Sequence, residues 1–258
     1  MRRTPGGAST LASTPVKEPE DWLKFEVLDV NRGALGEQLR ALEMIAAGLK
    51  GEVPFLETVF TPLSIASRLV ASEEVFLRHL REHWESVAHA LEVITETFTA
   101  FSKACLDRGA DGLFYATTSW ATTGSMIVEE YGRFARPYDL RLLGSLPDAQ
   151  LHILHVCRDH NMLTDLSDYP VHAFNWDARG QGNPSLAQGK ALLGRAAVIG
   201  GIDHGALARA RPEQVGWEAG GIAAAMGKRG WMLGGGCTFP PQAPDASLRA
   251  IRQAVGGV

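Results

Sequence analysis

Residues 151–157 read LHILHVC, a short apolar run that ends in a histidine and a cysteine two positions apart. Side chains alternate along a strand, so residues i and i+2 project from one face. Leu151 and Ile153 therefore share a face with His155 and Cys157, which puts apolar groups toward an interior and two reactive groups at the strand's C-terminal mouth. Five further runs of the same kind occupy 54–60, 112–116, 171–176, 197–202 and 231–235. Between and around them the periodicity predicts helices over 34–49, 62–70, 73–79, 84–108, 125–143, 161–166, 185–193, 212–226 and 246–255. Strands alternating with helices indicate parallel βαβ units. The runs give about six strands, whereas a closed barrel of such units needs eight. The shortfall falls at residues 1–33, which show no strand pattern. The expected fold is thus α/β, a TIM-type (β/α)8 barrel that is incomplete because its first two units are absent, or an open sheet.

The composition sets the outer bounds. The chain has 258 residues, 45% hydrophobic and 21% charged, with a formal net charge of −4. That excludes disorder over most of its length and offers no electrostatic reason to expect nucleic acid or an anionic membrane as partner. No apolar run reaches the roughly 18 residues needed to span a bilayer. Three cysteines, Cys105, Cys157 and Cys237, form no disulfide framework and suit a reducing, cytoplasmic compartment. Residues 1–18 are acid-poor and rich in Gly, Ser, Thr and Pro, which predicts a disordered tail followed by one domain over 19–258.

In parallel α/β proteins, reactive groups collect where strands end. Cys237 closes the run WMLGGGC, and with His155 and Cys157 it makes a His/Cys/Cys set, each member at a strand end. Zinc in catalytic sites takes three protein ligands and leaves a fourth position open, so this set has the required number and type. Packing is the competing use, since cysteine is among the most buried residue types. Cys105, within a helical stretch, is expected in the core.

Acidic candidates at strand ends are Glu57 in PFLETVF, Asp177 in FNWDARG and Asp203 in GGIDHG. Glu57 could act as a base or orient a ligand, or it could pair with Arg158 or Arg179. His160 and His204 follow strand ends and could move protons or touch substrate; His152 and His172 lie on the opposite parity and are expected to pack beneath helices. Residues 178–185, ARGQGNPS, are mobile by composition and make a natural lip, with Tyr115, Thr117 and Trp120 as candidate pocket wall.

The strings LHILHVC, VHAFNWD, VIGGIDHG and WMLGGGCTFPPQAPDASLRA, in this order and with PFLETVFTPLSIASRL before them, resemble the uroporphyrinogen decarboxylase superfamily over residues 20–255. The resemblance implies a (β/α)8 barrel. One branch holds the tetrapyrrole decarboxylases and another the zinc-dependent methylcobamide:coenzyme M methyltransferases, whose H-x-C…C zinc motif maps onto His155, Cys157 and Cys237. The decarboxylase's Arg-rich loop after the first strand and its Asp after the second have no counterpart, and Cys237 stands where the decarboxylase offers a histidine. The resemblance therefore implies zinc, a corrinoid methyl donor carried on a partner protein, and a thiol acceptor. Glu57, Asp177 and His204 are the expected catalytic groups, and Tyr115, Trp120 and Asp203 the expected cofactor contacts. The alternatives are a carboxy-lyase acting on a tetrapyrrole and an inactive, truncated barrel serving as a scaffold. Open sheet edges would also favour a homo-oligomer.

Overall fold

The computed structural model describes residues 2–3, 9–10 and 13–256. It divides into two compact units, the first comprising Met1–Asp111 and Gly132–Ala149, the second Gly112–Tyr131 and Gln150–Val258.

In the first unit β1 (Arg2–Arg3) pairs antiparallel with β2 (Ser9–Thr10). Of the tail expected over 1–18, residues 1, 4–8 and 11–12 fall outside the described residues. Val16 is buried, and its N–H donates to the Leu69 carbonyl at 3.1 Å. A 3-10 turn follows at Pro19–Lys24, where the sequence signalled no element. The Asp21 carboxylate accepts from the N–H groups of Lys17 and Glu18, which caps the turn, and Trp22 is wholly buried beside Phe76 and His79. Then come α1 (Gly33–Leu49), β3 (Leu56–Phe60), α2 (Pro62–Ala66) and α3 (Glu73–Glu82). The long α4 (Trp84–Asp107) buries Val87, Ala90, Leu91, Ile94, Phe101 and Cys105, an i, i+3, i+4 stripe that places Cys105 in the core as expected. The 3-10 turn and α2 pack against α4.

One long helix was expected over 125–143. Instead α5 (Val128–Phe134) and α6 (Arg136–Gly144) are separated at Ala135, because Pro137 has no N–H to continue the preceding helix. No helix forms over 161–166: the Asn161 side chain accepts from Leu163 N–H and donates to the Val156 carbonyl, so local side-chain bonds win over helical ones.

The second unit is built on β4 (Gly112–Ala116), β5 (Ile153–Val156), β6 (Ala173–Trp176), β7 (Ala197–Ile202) and β8 (Trp231–Gly235). They pair in chain order, each parallel to the next. Glycine is required at the start of β4, where a Cβ on Gly112 would meet the Leu151 carbonyl oxygen at 1.7 Å. The connections carry α7 (Leu186–Leu192) and α8 (Pro212–Met226), and α9 (Asp245–Val255) packs on α8. Ile202, Leu207, Val215 and Ala219 form the core under β7 and α8, with Leu233 against them. Six strands, β3 to β8, thus alternate with helices as expected for the α/β class. The sheet is not closed into a barrel: β8 has β7 as its one strand neighbour among the described residues. On this side Met232 is 58% and Trp217 of α8 85% exposed. Among the described residues no helix is long and apolar enough to cross a membrane.

Candidate metal centre

The parallel register decides which side chains meet. Ala116 lies opposite His155, His155 opposite Asn175 and Asn175 opposite Ile199, so the ends of β4, β5 and β6 fall within a residue of one another while β7 runs on to Ile202. Cys157 follows β5 by one residue, and Cys237 follows β8 by two. Their Sγ atoms are 3.9 Å apart, and the donor atoms of His155, Cys157 and Cys237 all lie within 4.8 Å of one another. A tetrahedral zinc ion with Zn–S near 2.3 Å holds its sulfurs roughly 3.8 Å apart, so two sulfurs and an imidazole at these spacings fit zinc.

The surroundings hold this set in place. The His155 ring is buried, stacks on Phe114 with centroids 5.4 Å apart, and sets Nδ1 2.6 Å from Asn175 Oδ1. Thr117 Oγ1 donates to the His155 carbonyl at 3.2 Å. At the other sulfur, Gly236 lets the chain graze the end of β6: a Cβ there would come within 2.4 Å of the Asp177 Cα. The two thiols share a hydrogen bond, which holds Cys237 well below the ordinary thiol range, with His155 adding to the effect. Cys157 is pushed up by the same bond and by burial. One sulfur therefore leans toward thiolate before any metal arrives, the form that ligates metal.

The family model described as Uroporphyrinogen decarboxylase (URO-D) matches residues 2–258. The chain belongs to the uroporphyrinogen decarboxylase family. It is 24% identical over 241 residues to a methylcobamide:CoM methyltransferase, MtbA, of Methanosarcina acetivorans, covering 92% of this chain and 68% of that protein. A uroporphyrinogen decarboxylase of Syntrophotalea carbinolica is 26% identical over 178 residues, 66% of this chain and 49% of that protein. A solved methyltransferase from Methanosarcina mazei superimposes with a TM-score of 0.82 at 23% identity, covering 96% of this chain and 72% of that one.

Around the three donors, this uroporphyrinogen decarboxylase family member differs in several details from what its sequence suggests. The loop over 178–185 is tied down rather than loose. Asn183 accepts from Asn161 N–H and donates to the carbonyls of Arg158 and Asp177, Asp159 accepts from Gln181 N–H, and His160 N–H donates to the Gln181 carbonyl at 2.7 Å. Arg158 and His160 take left-handed backbone angles, φ 73° and 48°, inside this web. Gly182, at φ 74°, lies against the His160 ring, where a Cβ would meet Nδ1 at 2.2 Å.

Asp177 and His204 do come together: Oδ2 and Nδ1 are 3.8 Å apart, each residue about a quarter exposed. Asp203 caps the turn that follows β7, its Oδ1 accepting from Ala206 N–H. Tyr115 and Trp120, expected as pocket wall and cofactor contacts, are 0% and 2% exposed and belong to the core in this structure. Glu57 sits in the first unit, half-buried, with Gln38 Nε2 donating to its carboxylate at 3.3 Å, and burial raises its pKa. Neither suggested arginine partner serves it: Arg158 donates to Ser119, and Arg179 pairs with Glu218. His152, 3% exposed, accepts the Leu113 N–H as an internal prop, whereas His172, which accepts the His152 N–H, is exposed rather than packed beneath a helix. Asn175 is the one central residue the sequence reading missed. Its signal was a lone amide inside the otherwise apolar run AFNW.

Proposed function

We propose that this family member binds zinc through His155, Cys157 and Cys237 and transfers a methyl group from a corrinoid on a separate protein to a small thiol, in the cytoplasm. The observation that carries the reading is the convergence of one imidazole and two thiols within 4.8 Å at the C-terminal ends of the parallel strands β5 and β8. It agrees with the relative that is a methylcobamide:CoM methyltransferase.

Bound zinc would supply one thing: it lowers the pKa of a coordinated thiol so that a nucleophilic thiolate exists at neutral pH. The chain's own groups do the rest. A neutral His155 and two thiolates cancel the charge of a divalent cation, so any thiol proton on Cys157 and Cys237 must leave as the site loads. Asp177 and His204 stand at the ends of β6 and β7 as a carboxylate–imidazole pair that can take up the substrate thiol's proton. The acceptor sulfur then forms its bond to the methyl carbon, and the pair of the broken carbon–cobalt bond stays on the donor.

The test combines metal content with methylcobalamin-dependent thiol methylation on the purified protein. About one zinc per chain and measurable transfer are expected, both lost in Cys237→Ala. Transfer unchanged in that variant overturns the mechanism. A carboxy-lyase is the second reading, favoured by the decarboxylase relative. Porphyrinogen turnover without metal would establish it.

A further inference from the structure

We infer that Asn175 is a positioning residue that selects the tautomer of His155 and thereby decides which ring nitrogen keeps a lone pair for the metal; the inference rests on the metal-centre reading above. A primary amide has two N–H donors on nitrogen and acceptor lone pairs on oxygen, and the two ends cannot be exchanged when each is committed. Asn175 is 4% exposed, so water does not complete its bonding. Its Nδ2 reaches the Ile199 carbonyl at 2.9 Å and the Gly235 carbonyl at 3.0 Å. Carbonyl oxygens only accept, so both N–H groups are spent on them and the amide cannot flip. Oδ1 is then left facing His155 Nδ1 at 2.6 Å. An oxygen that can only accept requires a proton on Nδ1. In the neutral ring that leaves Nε2 with its lone pair free, which is the ligating form.

The fixed tautomer is written into the sheet. Ile199 is on β7 and Gly235 ends β8, two residues before Cys237. One buried amide thus spans from the imidazole ligand on β5 to the strand that delivers the second thiol. Free imidazole interconverts between its two N–H forms, and without Asn175 part of the population would present an N–H where a lone pair is needed. Groups that orient metal-binding histidines in this way typically change metal affinity by 10–100-fold when removed.

The experiment uses Asn175→Ala, Asn175→Asp and the parent chain. The aspartate keeps an acceptor for Nδ1 but donates to neither carbonyl; alanine removes both functions. Tautomer is read from 15N shifts of labelled histidine in metal-free protein, zinc affinity by chelator competition, and folding by thermal melting. The parent should show His155 protonated at Nδ1. Asn175→Ala should show a mixed tautomer and bind zinc 10–100-fold more weakly. Asn175→Asp should restore the Nδ1–H form and most of the affinity despite melting lower. A purely structural role predicts the reverse order, with aspartate the worse of the two. An Nε2–H tautomer in the parent, or unchanged zinc affinity in a folded Asn175→Ala with mixed tautomers, overturns the inference. Should Asn175→Ala not fold, the parent tautomer and the aspartate variant still decide it. A parent that shows Nδ1–H yet binds no zinc refutes the metal reading while leaving the tautomer assignment standing.

Discussion

Gly236 and Asp177 touch backbone to backbone: a Cβ on Gly236 would fall 2.4 Å from the Asp177 Cα and 2.8 Å from its Cβ. No rotamer relieves a clash with main chain, so the segment carrying Cys237 would have to move. Gly236→Ala is expected to cost about 1–3 kcal/mol of stability and to weaken zinc binding with it. Gly221, exposed inside α8 with nothing within 4 Å of its virtual Cβ, is the contrast. Gly221→Ala should gain roughly 0.5–1 kcal/mol and leave zinc untouched. Melting and chelator competition on both variants check the pair; equal effects would show that the close approach does not matter.

The three cysteines should separate by reactivity. Cys105 is buried, and burial with the nearby Glu57 carboxylate pushes its thiol up to about 12, while Cys157 and Cys237 are partly open. A thiol reagent should titrate Cys237 first and Cys157 after it, once the bond between them is gone, in the native, metal-free protein, and Cys105 only after unfolding. Stoichiometric zinc should suppress the first two. Three fast thiols in the folded protein would contradict this burial.

Glu57 should prove separable from metal binding. Burial raises its pKa, so its contribution to stability is greatest at low pH and is lost as pH rises through that raised value. Glu57→Gln removes the cost of an ionised, half-buried carboxylate. At pH 7 the variant should melt about one or two degrees higher and keep its zinc, and methyl transfer should slow if the carboxylate orients substrate. Loss of zinc in Glu57→Gln would place the residue in the metal centre instead.

A pH dependence of stability should arise from His79. Its Nδ1 accepts from Trp22 Nε1 at 3.1 Å, and burial, followed by the charges of Arg78 and His83, lowers its pKa. Glu18 and Glu20 oppose the shift. The unfolded chain then binds more protons than the folded one between the lowered value and about 6.5, so stability falls as pH drops through that window. His79→Gln keeps an acceptor for Trp22 but cannot titrate. Between pH 7 and 5 its melting temperature should fall less than the parent's, and parallel slopes would sink the assignment.

The legible parts of the sequence were those governed by local rules. The i, i+2 parity of His155 and Cys157 and the habit of placing reactive groups at strand ends were enough to assemble the donor set, because parallel strands deliver their C-terminal ends to one side of the sheet. Asn175 was harder to read for the opposite reason: the lone amide in AFNW stands out, but its partners are carbonyls of Ile199 and Gly235, which no sequence pattern marks. Tyr115 and Trp120 lie in the core here, and an aromatic near a strand end has the same composition signal whether it meets a ligand or the core. The loop at 178–185 was misread because Gly and Asn suggest freedom, whereas Asn183 uses its amide to bind three backbone groups.

That tied loop changes where its ordering entropy is spent. Fixing a residue's backbone costs about 1–2 kcal/mol, and a lip that closed on its ligand would subtract that sum from every binding event. Here Asn183, Asp159 and the His160–Gln181 bond hold residues 158–161 and 177–183 together without a ligand. The cost is met once, when the chain folds, and the rim beside Cys157 is preorganised before any metal or substrate reaches it.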